Sequence, residues 1–200
     1  MKLFLFRHGS TAGNVVKKYI GATDEELCEA GREEVRAERQ ALFCKDSAAS
    51  ECYKAIVSER RKIFCSPMKR AIETAKILFD SNPIQIESGL NEMNFGVFEK
   101  KNCDEMNCDR VLQPLYQAWL DSNCTAKCPD GESKAEFCER ICASFLSLVG
   151  KENFATDAVI PIVCHGGTIN ALLERFAVEK KDYFAWRTAH GAYRFEEIEL

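Results

Sequence analysis

Short apolar runs separated by longer amphipathic or charged stretches set the rhythm of this chain. Residues 3–6, 63–65, 84–86 and 159–164 are runs of three to six, mostly Ile, Val, Leu and Phe. Runs this short and this uniformly apolar predict strands of a parallel sheet covered on both faces. Pro161 weakens the last of them, because a central strand needs its backbone donors. Residues 193–200 alternate loosely, with Phe195 and Ile198 among glutamates, and predict an edge strand. Between the runs lie helical patterns. Ser66-Pro67 reads as an N-cap followed by proline in the first turn, with Ala71, Ile72, Ala75, Leu78 and Phe79 forming one face. Residues 29–42 are charged and helix-favouring. Residues 135–149 place Phe137, Ile141, Phe145 and Leu148 at helical spacing, and residues 168–176 read as a helix capped by Thr168.

Strands alternating with helices predict an α/β fold: a three-layer α/β/α sandwich with a mostly parallel central sheet and an antiparallel edge. Residues 94–133 break the alternation. They are polar, hold four cysteines and turn at Pro129-Asp130-Gly131. They predict a small cap excursion, with a helix near residues 111–120. The whole of 1–200 is then one domain carrying this insertion.

Composition narrows the function. The chain has 200 residues, 46% hydrophobic and 29% charged, with a net charge of −4. No basic field exists to hold nucleic acid or an acidic membrane, so neither is an expected partner. An anionic ligand must be held by a few placed arginines or lysines. Eleven cysteines are unusual for this length. Their odd number, a chain long enough for a proper core and an N-terminus that turns polar at Arg7 all point away from a secreted disulfide scaffold. A cytoplasmic protein with free thiols is expected. The Cys124/Cys128 and Cys138/Cys142 spacings lack the usual zinc-ligand pairs, so no metal and no other cofactor is expected.

The chemistry is placed at the strand ends. The first strand runs into Arg7-His8-Gly9, the second into Ser66-Pro67-Met68-Lys69-Arg70, and the fourth into His165-Gly166-Gly167-Thr168. Ligands of open α/β sheets bind beyond the carboxyl ends of strands, where helix N-termini also point. Two of only three histidines and two arginines therefore converge there. Guanidinium forks match phosphate oxygens, and a neutral imidazole can attack phosphorus. The third histidine, His190, reads as a packing residue or one that supports the residues of the site.

These stretches resemble a known family. Arg7-His8-Gly9-Ser10-Thr11-Ala12-Gly13-Asn14 is similar to the R-H-G-x-T-x-x-N signature of the histidine phosphatase superfamily, the phosphoglycerate mutase-like proteins. Tyr19-Ile20-Gly21-Ala22-Thr23-Asp24, Ser66 to Ala75 (S-x-x-x-R-A-x-x-T-A), Leu90 to Gly96 with Glu99 (L-x-E-x-x-F-G-x-x-E) and Cys164-His165-Gly166-Gly167-Thr168 resemble its further motifs, in order. The resemblance implies His8 as the nucleophile that becomes phosphohistidine. It implies Arg7, Asn14, Arg70, His165 and Gly166 around the phosphate, and Glu92 as general acid and then base. It implies a metal-independent phosphomonoesterase of the histidine acid type, acting on a small phosphorylated metabolite. The wording of residues 90–96 is similar to that of alpha-ribazole phosphatases, which act in cobalamin synthesis. A mutase-type phosphotransferase and a non-catalytic binder of phosphorylated ligands are the alternatives. The oligomeric state is left open.

Overall fold

The computed structural model describes residues 1–200. Five strands form one sheet: β1 (Lys2–Arg7), β2 (Ile63–Cys65), β3 (Ile84–Ile86), β4 (Val159–Cys164) and β5 (Tyr193–Glu197), in the order β3-β2-β4-β1-β5. All neighbouring pairs are parallel except β1 with β5. The helices are α1 (Ala12–Val15), α2 (Glu29–Cys44), α3 (Ala48–Ser58), α4 (Lys69–Phe79), α5 (Cys103–Asn107), α6 (Leu112–Asp121), α7 (Lys134–Glu152) and α8 (Gly166–Phe176).

Strand alternation sends successive side chains to opposite faces. Leu3 and Leu5 of β1 join Ile160 and Ile162 of β4 on one face, packed against Phe137, Ile141 and Phe145 of α7 and Leu172 of α8. Phe4 and Phe6 face the other way, onto Val35 of α2, Tyr53 of α3 and Leu78 of α4. The three layers are those the pattern predicts, except that β3 lies at the sheet edge with Ile86 46% exposed rather than covered on both faces. Residues 94–133 carry α5 and α6, and their Met106, Tyr116, Trp119 and Cys128 extend the first core. Helix α3 was not among the predicted elements, although Ala49, Cys52, Tyr53, Ile56 and Val57 fall at helical spacing and face the second core.

Three details differ from the sequence reading. Pro161 stands in a central strand, opposite Phe4. The β2 ladder begins only at Ile162, and the backbone oxygen of Val163, two residues on, faces the β2 side and accepts from Ser66 N. Residues two apart face alike, so the missing N–H of Pro161 points to where β2 has not yet begun. Thr168 is not a cap: α8 starts two residues earlier with His165 at the N-cap, and the Thr168 hydroxyl donates to Leu90 O at 3.4 Å. Helix α4 begins at Lys69 rather than after Ser66, and its first N–H is received by Asp24 Oδ1 at 2.8 Å.

Candidate active site

The site is built where three parallel strands end side by side. Backbone pairing continues one step beyond the strands: His8 N donates to Cys164 O and Ser66 N to Val163 O, both at 3.0 Å. This lines up His8, His165 and Ser66 at one edge of the sheet. The imidazole centroids of His8 and His165 are 5.1 Å apart, and His190 approaches His8 at 5.6 Å.

His8 is almost fully buried. Its Nδ1 lies 2.7 Å from Gly9 O, a pure acceptor, so Nδ1 carries the proton and Nε2 keeps its lone pair. Burial first, then the positive charges of Arg70 and Arg7, hold His8 well below the ordinary histidine value. It is thus neutral, with its lone pair on Nε2. His165 has no solvent exposure and is also held well below that value, by burial and then by Arg70. Its Nδ1 accepts from Arg70 Nε at 3.3 Å, so Nε2–H donates to Ser66 Oγ at 2.7 Å, and Ser66 Oγ donates to Asn91 Oδ1 at 3.2 Å.

Arg70 is wholly buried without an ion pair. Its other donors go to Thr23 O (2.7 Å) and Gly21 O (2.8 Å). That loop is itself pinned by Glu99, which accepts from the backbone N–H of Gly21, Ala22, Thr23 and Phe95 and from the Thr23 hydroxyl. Arg7 is half-buried and likewise lacks a carboxylate partner. It donates to Thr188 O at 2.6 Å and to His190 Nε2 at 2.7 Å, and its buried Nε has no partner. Since Nε2 of His190 must accept, His190 is neutral here; burial and then Arg7 push it down to about 4. Of the two roles the sequence leaves open for His190, packing and support of a site residue, the contact with Arg7 is the second.

Glu92 sits at the N-terminus of α8. Its Oε2 accepts from Gly167 N and its Oε1 from Met93 N, both at 2.9 Å. Arg140 of α7 braces the preceding backbone, donating to Gly89 O, Asn91 O and Glu92 O while forking onto Glu132. Asn14 is one side of a capping box: its Oδ1 accepts from Thr11 N at 3.1 Å. It shapes the loop after His8 and is not on the cavity wall. A cavity of about 460 Å³ opens over this region, lined by Arg7, Glu92, Gly166, Gly167, Arg187 and Thr188 among others. His8, Arg70 and His165 are buried and do not line that cavity; Arg70 reaches His165 at 3.3 Å, and the His165 ring lies 5.1 Å from that of His8. Gly166 lies against the Arg7 guanidinium, where a Cβ would approach Cζ to 3.1 Å.

Sequence reasoning missed Arg140, Glu132, Thr188 and the contact of His190. Their partners lie 8 to 183 residues away along the chain, and no local pattern marks them. No group of three or more His, Cys, Asp or Glu is arranged to hold a metal ion. The eleven cysteines are free; buried Cys65 and Cys164 have thiols pushed up by desolvation, Cys65 to about 12.

Residues 3–199 match the model of the histidine phosphatase superfamily (branch 1), and the chain belongs to that family. It is 28% identical over 175 residues to an acid phosphatase of Mycobacterium tuberculosis, covering 88% of this chain and 75% of that one. It is 26% identical over 176 residues to 2,3-bisphosphoglycerate-dependent phosphoglycerate mutase 2 of Gloeobacter violaceus, covering 86% and 73%. In fold it is similar to the crystal structure of the alpha-ribazole phosphatase from Shigella flexneri, with a TM-score of 0.76, 24% identity, and coverage of 98% of this chain and 89% of that one. No helix is long and apolar enough to cross a membrane.

Proposed function

We propose that this protein is a phosphomonoesterase that passes the phosphoryl group of a small phosphorylated metabolite to His8 and then to water. One observation carries the reading: two guanidiniums, Arg7 and Arg70, stand beside a neutral imidazole with a free Nε2, and neither is paired with a carboxylate. A buried cation without a counterion is costly. A phosphate dianion would supply the missing charge, with the oxygens replacing carbonyl and imidazole partners of the arginines.

In the first half-reaction the Nε2 lone pair forms an N–P bond as the ester P–O bond breaks. The departing oxygen takes a proton from the acid form of Glu92. In the second, Glu92 takes a proton from water, the water oxygen bonds to phosphorus and the N–P bond breaks. The arginines hold charge on the three equatorial oxygens throughout. His165 and Asn14 would act on this site, the first through Arg70 and the second through the loop after His8. The alpha-ribazole phosphatase likeness makes alpha-ribazole phosphate one substrate to try, and free thiols suit a cytoplasmic, reducing setting.

The phosphoglycerate mutase relatives support a second reading, transfer to another hydroxyl, with exposed Arg187 at the cavity holding a second anion. The test is a brief mix of enzyme with radiolabelled phosphomonoesters, followed by alkaline quench. An acid-labile label on the wild type, absent from His8→Ala, with release of inorganic phosphate outpacing transfer, is the expected result. Full turnover by His8→Ala would overturn the mechanism. Ligand binding without any turnover or label would leave a non-catalytic binder.

A further inference from the structure

Next to the polar cavity lies a second one of about 270 Å³, and the two share Glu92, Gly167 and Asn170. Arg7 and Arg187 line only the first. Glu92, the group that would protonate the leaving oxygen, therefore stands between a cationic compartment and a neighbouring chamber. The walls of that chamber are aromatic. Tyr19 comes from the loop after α1, Phe95 and Trp119 from the cap, and Tyr183 and Phe184 from the segment after α8.

These rings brace one another. Tyr19 meets Phe95 and Trp119 edge-on at 5.1 and 5.6 Å, and Tyr183 meets Phe184 edge-on at 5.0 Å. Rings held this way form a slot before any ligand arrives, and a preformed slot loses little entropy on binding. The one cation in the chamber is committed elsewhere. Lys134 Nζ is 2.9 Å from Glu174 Oε1 and 4.5 Å from the centroid of the Tyr183 ring. A second anion on the leaving group would meet aromatic faces, whose quadrupole is negative, and an already neutralised lysine.

We propose that this chamber is the leaving-group subsite, and that it takes an uncharged alcohol carrying a flat aromatic or heteroaromatic ring. The substrate is then the monophosphate of such an alcohol, not a phosphoglycerate or a bisphosphate. This inference rests on the phosphomonoesterase reading.

The test compares benzyl phosphate, propyl phosphate and 3-phosphoglycerate. All three release an alkanol oxygen, so ring recognition is separated from the easy departure of phenols. The expected kcat/KM for benzyl phosphate exceeds that for propyl phosphate by about tenfold or more, which corresponds to ~1.4 kcal/mol. 3-Phosphoglycerate is the poorest of the three. Phe184 is 45% exposed at the rim, so Phe184→Ala should fold normally and reduce the benzyl-to-propyl ratio about threefold. Equal values for benzyl and propyl phosphate would overturn the subsite and leave the phosphatase standing. Preference for 3-phosphoglycerate would overturn it in favour of a second anion at Arg187. No turnover and no phosphoenzyme with any ester would remove the underlying reading, and this one with it.

Discussion

Replacing Arg140 by methionine tests whether a residue outside the catalytic cavity sets the position of Glu92. Arg140 makes five hydrogen bonds: Nε and Nη2 to the Glu132 carboxylate at 2.8 and 2.9 Å, Nη1 to Gly89 O and Asn91 O at 3.0 and 3.2 Å, and Nη2 to Glu92 O at 3.3 Å. Methionine keeps the stem and its packing but none of these. Charge-assisted bonds contribute about 1.5–3 kcal/mol each when isolated, and removing one partner leaves the other unsatisfied. The side chains of Arg140 and Glu132 are 31% and 21% exposed, so water recovers part of the loss. We therefore expect a net cost of about 2–3 kcal/mol, or roughly 4–12 °C in Tm for a chain of this length. An ångström of drift at Glu92 costs about 10²-fold in rate. Arg7 and Arg70 are untouched, so kcat should fall while KM changes little. Adding Glu132→Gln should cost less than the sum of the two single changes, since they share one interaction. A wild-type Tm together with wild-type kcat would refute the reasoning, as would KM and kcat degrading equally.

Three further outcomes are expected. Glu92→Gln should lose about 10²- to 10⁴-fold in kcat with unchanged circular dichroism, because an amide cannot donate and retrieve the proton. Gly167→Ala places a methyl against Glu92 Oε1 and at 3.0 Å from the Tyr183 hydroxyl, so kcat should fall by about 10²-fold in steady-state assays. The three histidines are held below the ordinary value in the folded state, His190 at about 4. Below pH 6.5 the unfolded chain binds protons that the folded chain refuses, so stability is full above that pH and declines as pH falls towards 4. Each such histidine adds up to about 1.4 kcal/mol per pH unit to the decline. His190→Asn should flatten the slope of urea-derived stability between pH 6.5 and 4.5, and an unchanged slope would count against a neutral His190.

Glu132 works in the opposite direction from its burial. Desolvation raises its carboxyl, but the Arg140 fork and the Asn94 N–H overcome that, and the net shift is downward. The pair is thus intact at neutral pH, and its contribution is lost only as pH falls through this lowered value.

Much of this protein was written locally. Short runs such as 63–65 and 159–164 read as buried strands, the second in spite of Pro161, because so few polar atoms could face water, and strand–helix alternation argues for a parallel sheet. Parallel strands put their carboxyl ends on one edge, so Arg7, His8, His165 and Arg70 had to meet there. Glu99 stood in a recognisable motif, although not its task of gathering the N–H groups of residues 21–23.

The tertiary structure alone decided the rest. Asn14 closes a capping box, its Oδ1 accepting from the Thr11 N–H. His190 is coupled to Arg7 because the antiparallel β1–β5 pairing brings residues 183 positions apart to 2.7 Å. Gly191, at φ +70°, turns the chain there, where a Cβ would lie 2.9 Å from that of Glu34. The aromatic chamber draws its rings from three distant segments, and the Arg140 brace joins α7 to the segment after β3. Periodicity reports which face of one element is buried. Which side chains from different elements meet, and whether their charges are answered, is set by how those faces pack, and it is there that the specificity of this site resides.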